Sequence, residues 1–189
     1  ADIAPRDALE FARRLRKKYE TGIILFSCYN LLLQYGLEAF AAEAAAAGVD
    51  GVLVTDLPPE EAGPWHAIAH ENGLDTIFLV SPTTHPARME AIAKLSSGFI
   101  YGISRMGVTG TRTALPADLP ALAEKIRAHT DLPLAIGFGL STPEQIADVC
   151  RVADAAVVGS ALVAKSAEGA PDALKEFVAS LKAATRPPK

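Results

Sequence analysis

The chain has 189 residues, half of them apolar, which is enough for one domain with a sizeable core. A formal net charge of −4 removes the electrostatic case for a nucleic-acid partner. Two cysteines, Cys28 and Cys150, exclude a disulfide scaffold and fit a reduced, cytoplasmic protein, and no apolar run is long enough to span a bilayer.

Short apolar runs alternate with longer amphipathic ones. Ala1-Asp2-Ile3-Ala4-Pro5 has no initiator Met and leads straight into a helix over Asp7–Tyr19, so the chain reads as lacking its natural beginning. The basic run Arg13-Arg14-Leu15-Arg16-Lys17-Lys18 is the solvated face of that helix. Strands are expected at Gly22–Cys28, Gly51–Asp56, Thr76–Val80, Gly98–Ser104, Leu132–Gly137 and Ala155–Val158. Their near-continuous apolar and β-branched content is the pattern of strands covered on both faces.

Helices are expected between them, over Gly36–Ala47, Pro59–Asn72, Pro86–Leu95, Leu119–His129 and Thr142–Val152, with Asp172–Ala184 closing the order. Ser141-Thr142-Pro143-Glu144 is a helix start, with proline in the first turn and an acid near the positive dipole end. Gly48, Gly73 and Gly98 stand where helices hand over to strands. Thr185–Lys189 is a frayed tail.

A βα unit repeated without long linkers implies a parallel sheet with right-handed crossovers. A doubly wound sheet would carry its main glycine loop after the first strand. Here the glycine loops come late: Gly102–Thr111, Gly137-Phe138-Gly139 and Gly159-Ser160. Late phosphate loops belong to a (βα)8 (TIM) barrel, whose anion site sits at the last two strands beside a short extra helix. Leu162–Gly169 can supply part of that helix. With about six strands visible, the expected fold is an α/β, incomplete TIM barrel, read as a single domain over 1–189 that lacks its first two strands and the helix between them.

The glycines have a direct physical role. Glycine lets backbone N–H groups approach an anion, and a helix start adds partial positive charge. Gly110, Gly139, Gly159 and Ser160 are therefore the candidate phosphate ligands. Without a Walker-type lysine, a nucleoside triphosphate is not the ligand. Asp56 ends a strand, where barrel chemistry is held, and would be the first general-base candidate from position alone. His66 and His70 are four apart on a helix, but no third ligand accompanies them, so no metal site is expected.

Ser104-Arg105-Met106-Gly107-Val108-Thr109-Gly110, Gly137-Phe138-Gly139-Leu140-Ser141 and Val158-Gly159-Ser160-Ala161 resemble the tryptophan synthase alpha subunit family. Val52–Glu61, Tyr29-Asn30 and Tyr35-Gly36 are similar to the same family's earlier strand ends, and the resemblance runs in order along the chain. It implies a (βα)8 barrel that cleaves indole-3-glycerol phosphate to indole and glyceraldehyde 3-phosphate in tryptophan biosynthesis. It implies no cofactor in this chain, and a beta subunit partner carrying pyridoxal phosphate in an alpha-beta-beta-alpha complex. The family's catalytic Glu and Asp fall upstream of Ala1, so no catalytic residue is assigned here and the chain alone is expected to be inactive.

The resemblance further implies a closing loop with Arg105 and Thr109, a substrate-side Tyr101, and an indole slot from Phe26, Leu53, Leu79, Phe138 and Val158. Asp56, Pro58 and Asn30 would face the beta subunit. Cys28 and Phe99 depart from the family, which often has Tyr at both places. Two other readings stand beside this one. One is a non-catalytic phosphate-binding module that docks a beta-type partner. The other is a different phosphate barrel such as a pentose-phosphate epimerase or a thiamine phosphate synthase, although the metal-type strand ends of the epimerase are missing.

Overall fold

A computed structural model describes residues 4–103, 119–137 and 139–185. The chain divides into two compact units, residues 1–78 with 86–98 and residues 79–85 with 99–189.

The first unit carries helix α1 (Pro5–Arg16), strand β1 (Ile24–Ser27), helices α2 (Tyr29–Tyr35) and α3 (Leu37–Ala46), strand β2 (Gly51–Val54), helix α4 (Gly63–Glu71), strand β3 (Asp75–Ile77) and helix α5 (Pro86–Leu95). Its sheet has the order β1-β2-β3, all parallel, with Leu25 opposite Val52 and Val52 opposite Thr76. β2 is buried at every residue, as the middle strand of a parallel sheet should be. The core gathers Leu9, Leu32, Leu53, Trp65, Ile77 and Met89, all under 3% exposed. Phe40 lies 6.0 Å from the Trp65 ring in a tilted contact.

The second unit carries strands β4 (Leu79–Val80) and β5 (Ile100–Ile103), helix α6 (Leu119–Arg127), strand β6 (Leu134–Gly137), helix α7 (Pro143–Val149), strand β7 (Ala155–Val157) and helices α8 (Ser160–Ala167) and α9 (Pro171–Ala184). Its sheet has the order β4-β5-β6-β7, again parallel throughout. β6 is the fully buried strand, and Ile100, Leu119, Ile126, Leu134, Ile136 and Ile146 fill the core.

The same device fastens the strand starts in each unit. The Asp50 carboxylate accepts the Ile23 N–H at 2.6 Å and pairs with Arg16 of α1. The Asp154 carboxylate accepts the Leu134 N–H at 2.8 Å and pairs with Arg127 of α6 at 3.1 Å. In both cases an acid just before a strand accepts an amide at or one residue before the start of the neighbouring strand and is charged against a helix arginine. Arg16 also donates to the carbonyls of Gly48 at 2.8 and 2.9 Å and of Thr21 at 3.1 Å, so one residue of the basic run is turned inward.

Gly48, Gly73 and Gly98 have φ of +80°, +70° and +73°, the left-handed stops that the helix ends require. Thr142 caps α7, accepting the Gln145 N–H at 3.4 Å while Gln145 accepts back from the Thr142 N–H at 3.2 Å. Two elements differ from the sequence reading. Tyr29–Tyr35 forms α2, where no helix was expected. The expected strand Thr76–Val80 is two short strands, β3 and β4, assigned to different sheets and separated by Phe78.

Candidate functional site

Register decides which strand ends share a rim. In the second unit Val80 pairs with Gly102, Ile103 with Gly137, and Gly137 with Val157. The carboxyl ends of four adjacent strands therefore open on one side of the sheet. Among the described residues, Ser81, Thr83 and Thr84 follow β4 and Gly159-Ser160 follow β7, small or hydroxyl residues in both cases.

After β7 the chain turns at Gly159 and enters α8 at Ser160. The Gly159 carbonyl already accepts the N–H groups of Leu162 at 2.9 Å and Val163 at 3.1 Å. The first-turn amides of Ser160 and Ala161 have no intrahelical acceptor and point outward along the helix axis. Gly159 and Ser160 are both exposed, and a Cβ at Gly159 would meet nothing within 4 Å. After β6, Gly139 takes φ +76°, which only glycine adopts without strain. Two of the expected anion turns thus sit on neighbouring strands of one rim, and one of them begins a helix. Gly110, Thr109 and Arg105 lie outside the described residues, and so does Phe138.

Tyr101 is 9% exposed on β5, and burial pushes its phenol up from the usual value. Its ring occupies the space that Gly137 leaves open. A Cβ at Gly137 would press on the Tyr101 hydroxyl and come within 3.0 Å of Cζ and 2.9 Å of the Val157 Cβ. Leu79 is half-buried on β4. Val158 lines a groove on the helix side of β7 together with Leu162, Val178 and Leu181.

The sequence reading did not anticipate the loop after β4. Ser81 donates its N–H to Thr84 Oγ1 at 3.0 Å, and its hydroxyl lies 3.0 Å from that of Thr83. Lys125 of α6 donates to the Thr84 carbonyl at 2.6 Å and the Pro82 carbonyl at 3.3 Å. The Ser-Pro-Thr-Thr string after a short strand was the available signal.

In the first unit the ends of β1 and β2 pair through Ser27 and Val54. Phe26 is 61% exposed on the outer strand, whereas Leu53 of the middle strand is buried. Thr55 donates its N–H to the Ser27 carbonyl at 2.9 Å. The Asp56 carboxylate accepts the Tyr29 N–H at 2.7 Å, so the acid that ends β2 binds the first turn of α2. Asn30 lies in that same first turn, and Pro58 follows the β2 exit. His66 and His70 have ring centroids 6.3 Å apart on α4. Among the described residues no three His, Cys, Asp or Glu side chains come together as a metal site, and no helix is long and apolar enough to cross a membrane.

Parallel strands alternating with helices, with glycine turns at the carboxyl strand ends, define an α/β protein of the parallel βα-repeat class. The chain belongs to the tryptophan synthase alpha chain family, whose description matches residues 1–188. It is 47% identical over 169 residues to the tryptophan synthase alpha chain of Solibacter usitatus, covering 89% of this chain and 63% of that one. It is 48% identical over 182 residues to that of Geotalea uraniireducens, covering 94% and 68%. Among solved structures, tryptophan synthase from Mycobacterium tuberculosis superposes with a TM-score of 0.88 at 36% identity, over 99% of this chain and 71% of that one. Tryptophan synthase subunit alpha from Legionella pneumophila gives a TM-score of 0.84 at 35% identity, over 97% and 70%. The fold is that family's (βα) barrel, here incomplete. The chain spans somewhat under two thirds of the length of the S. usitatus relative.

Proposed function

We propose that this chain supplies the phosphate-holding side of an indole-3-glycerol phosphate lyase in tryptophan biosynthesis, working with a beta subunit that carries pyridoxal phosphate. The supporting observation is the pair of neighbouring turns at Gly139 and Gly159-Ser160, the second opening α8. Together they offer outward amides and a positive helix end at one rim, which suits a phosphate monoester dianion. Gly110 completes the set in this reading, and Arg105 and Thr109 belong to the loop that closes over the ligand.

The reaction is a retro-aldol cleavage. A base takes the proton of the hydroxyl next to the indole, the carbon–carbon bond breaks, and an acid delivers a proton to the departing indole carbon. In this reading the Glu and Asp that perform those transfers are not among these residues, and the chain alone turns over no substrate. What it provides is grip remote from the breaking bond. Binding energy from the phosphate tail holds the glycerol carbons and the indole ring in line for the acid and base. In this reading Tyr101 and Leu79 of the second unit border the ring, and Phe138 belongs with them. Asp56, Pro58 and Asn30 form the face toward the beta subunit, and no cofactor is required in this chain.

Titration with glycerol phosphate, followed by amide chemical shifts, tests the phosphate reading. Shifts concentrated at Gly139 and at residues 159–161 are expected, and an absence of shifts at those amides overturns it. An indole-release assay on the same material tests the second part, and turnover at the rate of a full-length relative contradicts the proposed lack of an acid and base.

A further inference from the structure

Two helices begin at the rim that carries the candidate anion turns, and their starts are built differently. α8 follows Gly159 with no side-chain cap, and Gly159 and Ser160 are both exposed. The start of α7 is sealed from within. Gln145, half-buried in the first turn, folds its side-chain carbonyl back over the preceding loop. Its Oε1 accepts the Ser141 N–H at 2.8 Å, the Thr142 N–H at 3.2 Å and the Ser141 hydroxyl at 3.3 Å. Two of these three neighbours are backbone N–H groups, which only donate, so the oxygen and not the NH2 end must face them. The return bond, from the Gln145 N–H to Thr142 Oγ1, is the longest of the set at 3.4 Å.

In an ordinary capping box the acceptor side chain serves the amide of the capping residue alone. Here its shortest bond goes one residue further out, to Ser141, and the Ser141 hydroxyl joins it. The extra bonds therefore fasten the loop rather than the helix. Ser141 stands two residues after Gly139, the exposed glycine with φ of +76°. Leu140, between them, is 2% exposed. Beyond Gly139 the turn is anchored twice, by the burial of Leu140 and by the Gln145 oxygen. Affinity falls in proportion to the fraction of molecules whose site is already formed, so a turn that kept its shape one tenth of the time would bind about tenfold more weakly.

We propose that Gln145 is a positioning residue for this rim. Its carbonyl holds the Gly139 turn in the shape that meets a phosphate monoester, and by filling the start of α7 it leaves the start of α8 as the open one. The inference rests on the phosphate reading of the rim.

The test compares three variants of this chain. Gln145→Met keeps the length of the side chain and removes the oxygen. Titration with glycerol phosphate, followed by amide shifts, should show binding weakened at least about tenfold, with the response at Gly139 reduced more than that at residues 160–161. Amide exchange at Ser141 and Thr142 should quicken. Gln145→Glu offers the same N–H groups a carboxylate and should restore slow exchange there; it is read by exchange alone, because its charge acts on a phosphate directly. Thr142→Ala removes the other half of the box. It should lower the urea midpoint by an amount comparable to Gln145→Met, yet leave the glycerol phosphate affinity within about twofold of the parent. Equal weakening by Thr142→Ala and Gln145→Met makes Gln145 a helix cap only and overturns the proposal. Fast exchange at Ser141 and Thr142 in the Gln145→Glu chain overturns it too. A parent chain that gives no response to glycerol phosphate loses the proposed function and this inference with it, whereas a parent response that Gln145→Met leaves untouched loses this inference only.

Discussion

Replacing Gly137 with alanine tests the packing of the candidate rim. Gly137 is buried on β6, which is paired on both sides, so the backbone cannot step aside. The new methyl group would press on the Tyr101 hydroxyl and lie 3.0 Å from its Cζ and 2.9 Å from the Val157 Cβ. Overpacking of this kind costs about 1–3 kcal/mol. Its φ is not in the left-handed region, so alanine returns about 0.4–1 kcal/mol by restricting the unfolded chain. The net loss is about 1–2 kcal/mol. The atom most crowded is the phenolic oxygen, so Tyr101→Phe should relieve part of the clash. Tyr101→Phe alone, which removes a buried hydroxyl, should cost no more than about 1.5 kcal/mol. The double variant should then be more stable than the sum of the singles by at least about 0.5 kcal/mol. Urea unfolding followed by amide exchange within β5 and β6 reads this directly. Fluorescence of Trp65, the only tryptophan, reports the other unit and serves as a control. Additive losses, or a Gly137→Ala protein as stable as the parent, would refute the argument.

Three further outcomes follow from contacts described above. Arg16→Ala removes a charged donor that serves Gly48, Thr21 and Asp50, and should cost about 1.5–3 kcal/mol in the first unit, read by Trp65 fluorescence in urea. The Asp154 carboxyl is held below its usual range, first by the Leu134 N–H and then by Arg127. Its contribution is therefore complete above the unfolded carboxylate value of about 3.9 and is lost as pH falls through the lower folded value. At 47% exposure, solvent limits that contribution to roughly 0.5–1 kcal/mol, and Asp154→Asn should flatten the urea midpoint against pH below about pH 4 while leaving the slope above pH 5 unchanged. Ser160→Asp places a like charge at the mouth of α8 and should weaken glycerol phosphate at least about tenfold without lowering the urea midpoint, measured by calorimetric titration.

The alternation of buried strands and amphipathic helices was legible because it is written locally, in apolar runs bounded by Gly48, Gly73 and Gly98. α2 was hidden for the opposite reason. Its string Leu31-Leu32-Leu33 has no helical alternation, and its first turn is held by Asp56, 27 positions downstream of Tyr29. The break at Phe78 was equally invisible, since Ile77, Phe78 and Leu79 form one apolar run. Composition could not separate outer strands from middle ones either. Phe26 looks like core by residue type and is 61% exposed because β1 is the last strand of its sheet. The glycine at 139 has a physical reason in its left-handed backbone, whereas neither φ nor a close neighbour demands glycine at 159. The pairing of Gly137 with Tyr101 could not be read, because it joins residues 36 apart whose separation only register reveals.

The bond from Asp56 to Tyr29 gives α2 a conditional existence. Seven residues are too few to sustain an isolated helix in water. This one starts where a carboxylate on another strand's exit happens to stand, and it has no side-chain cap of its own. Its first turn therefore works as a logical conjunction, wound only while both strand exits are in place. Anything that draws the Asp56 side chain elsewhere would unwind Tyr29 and Asn30 at a distance, turning the displacement of a single oxygen into the melting of a whole element.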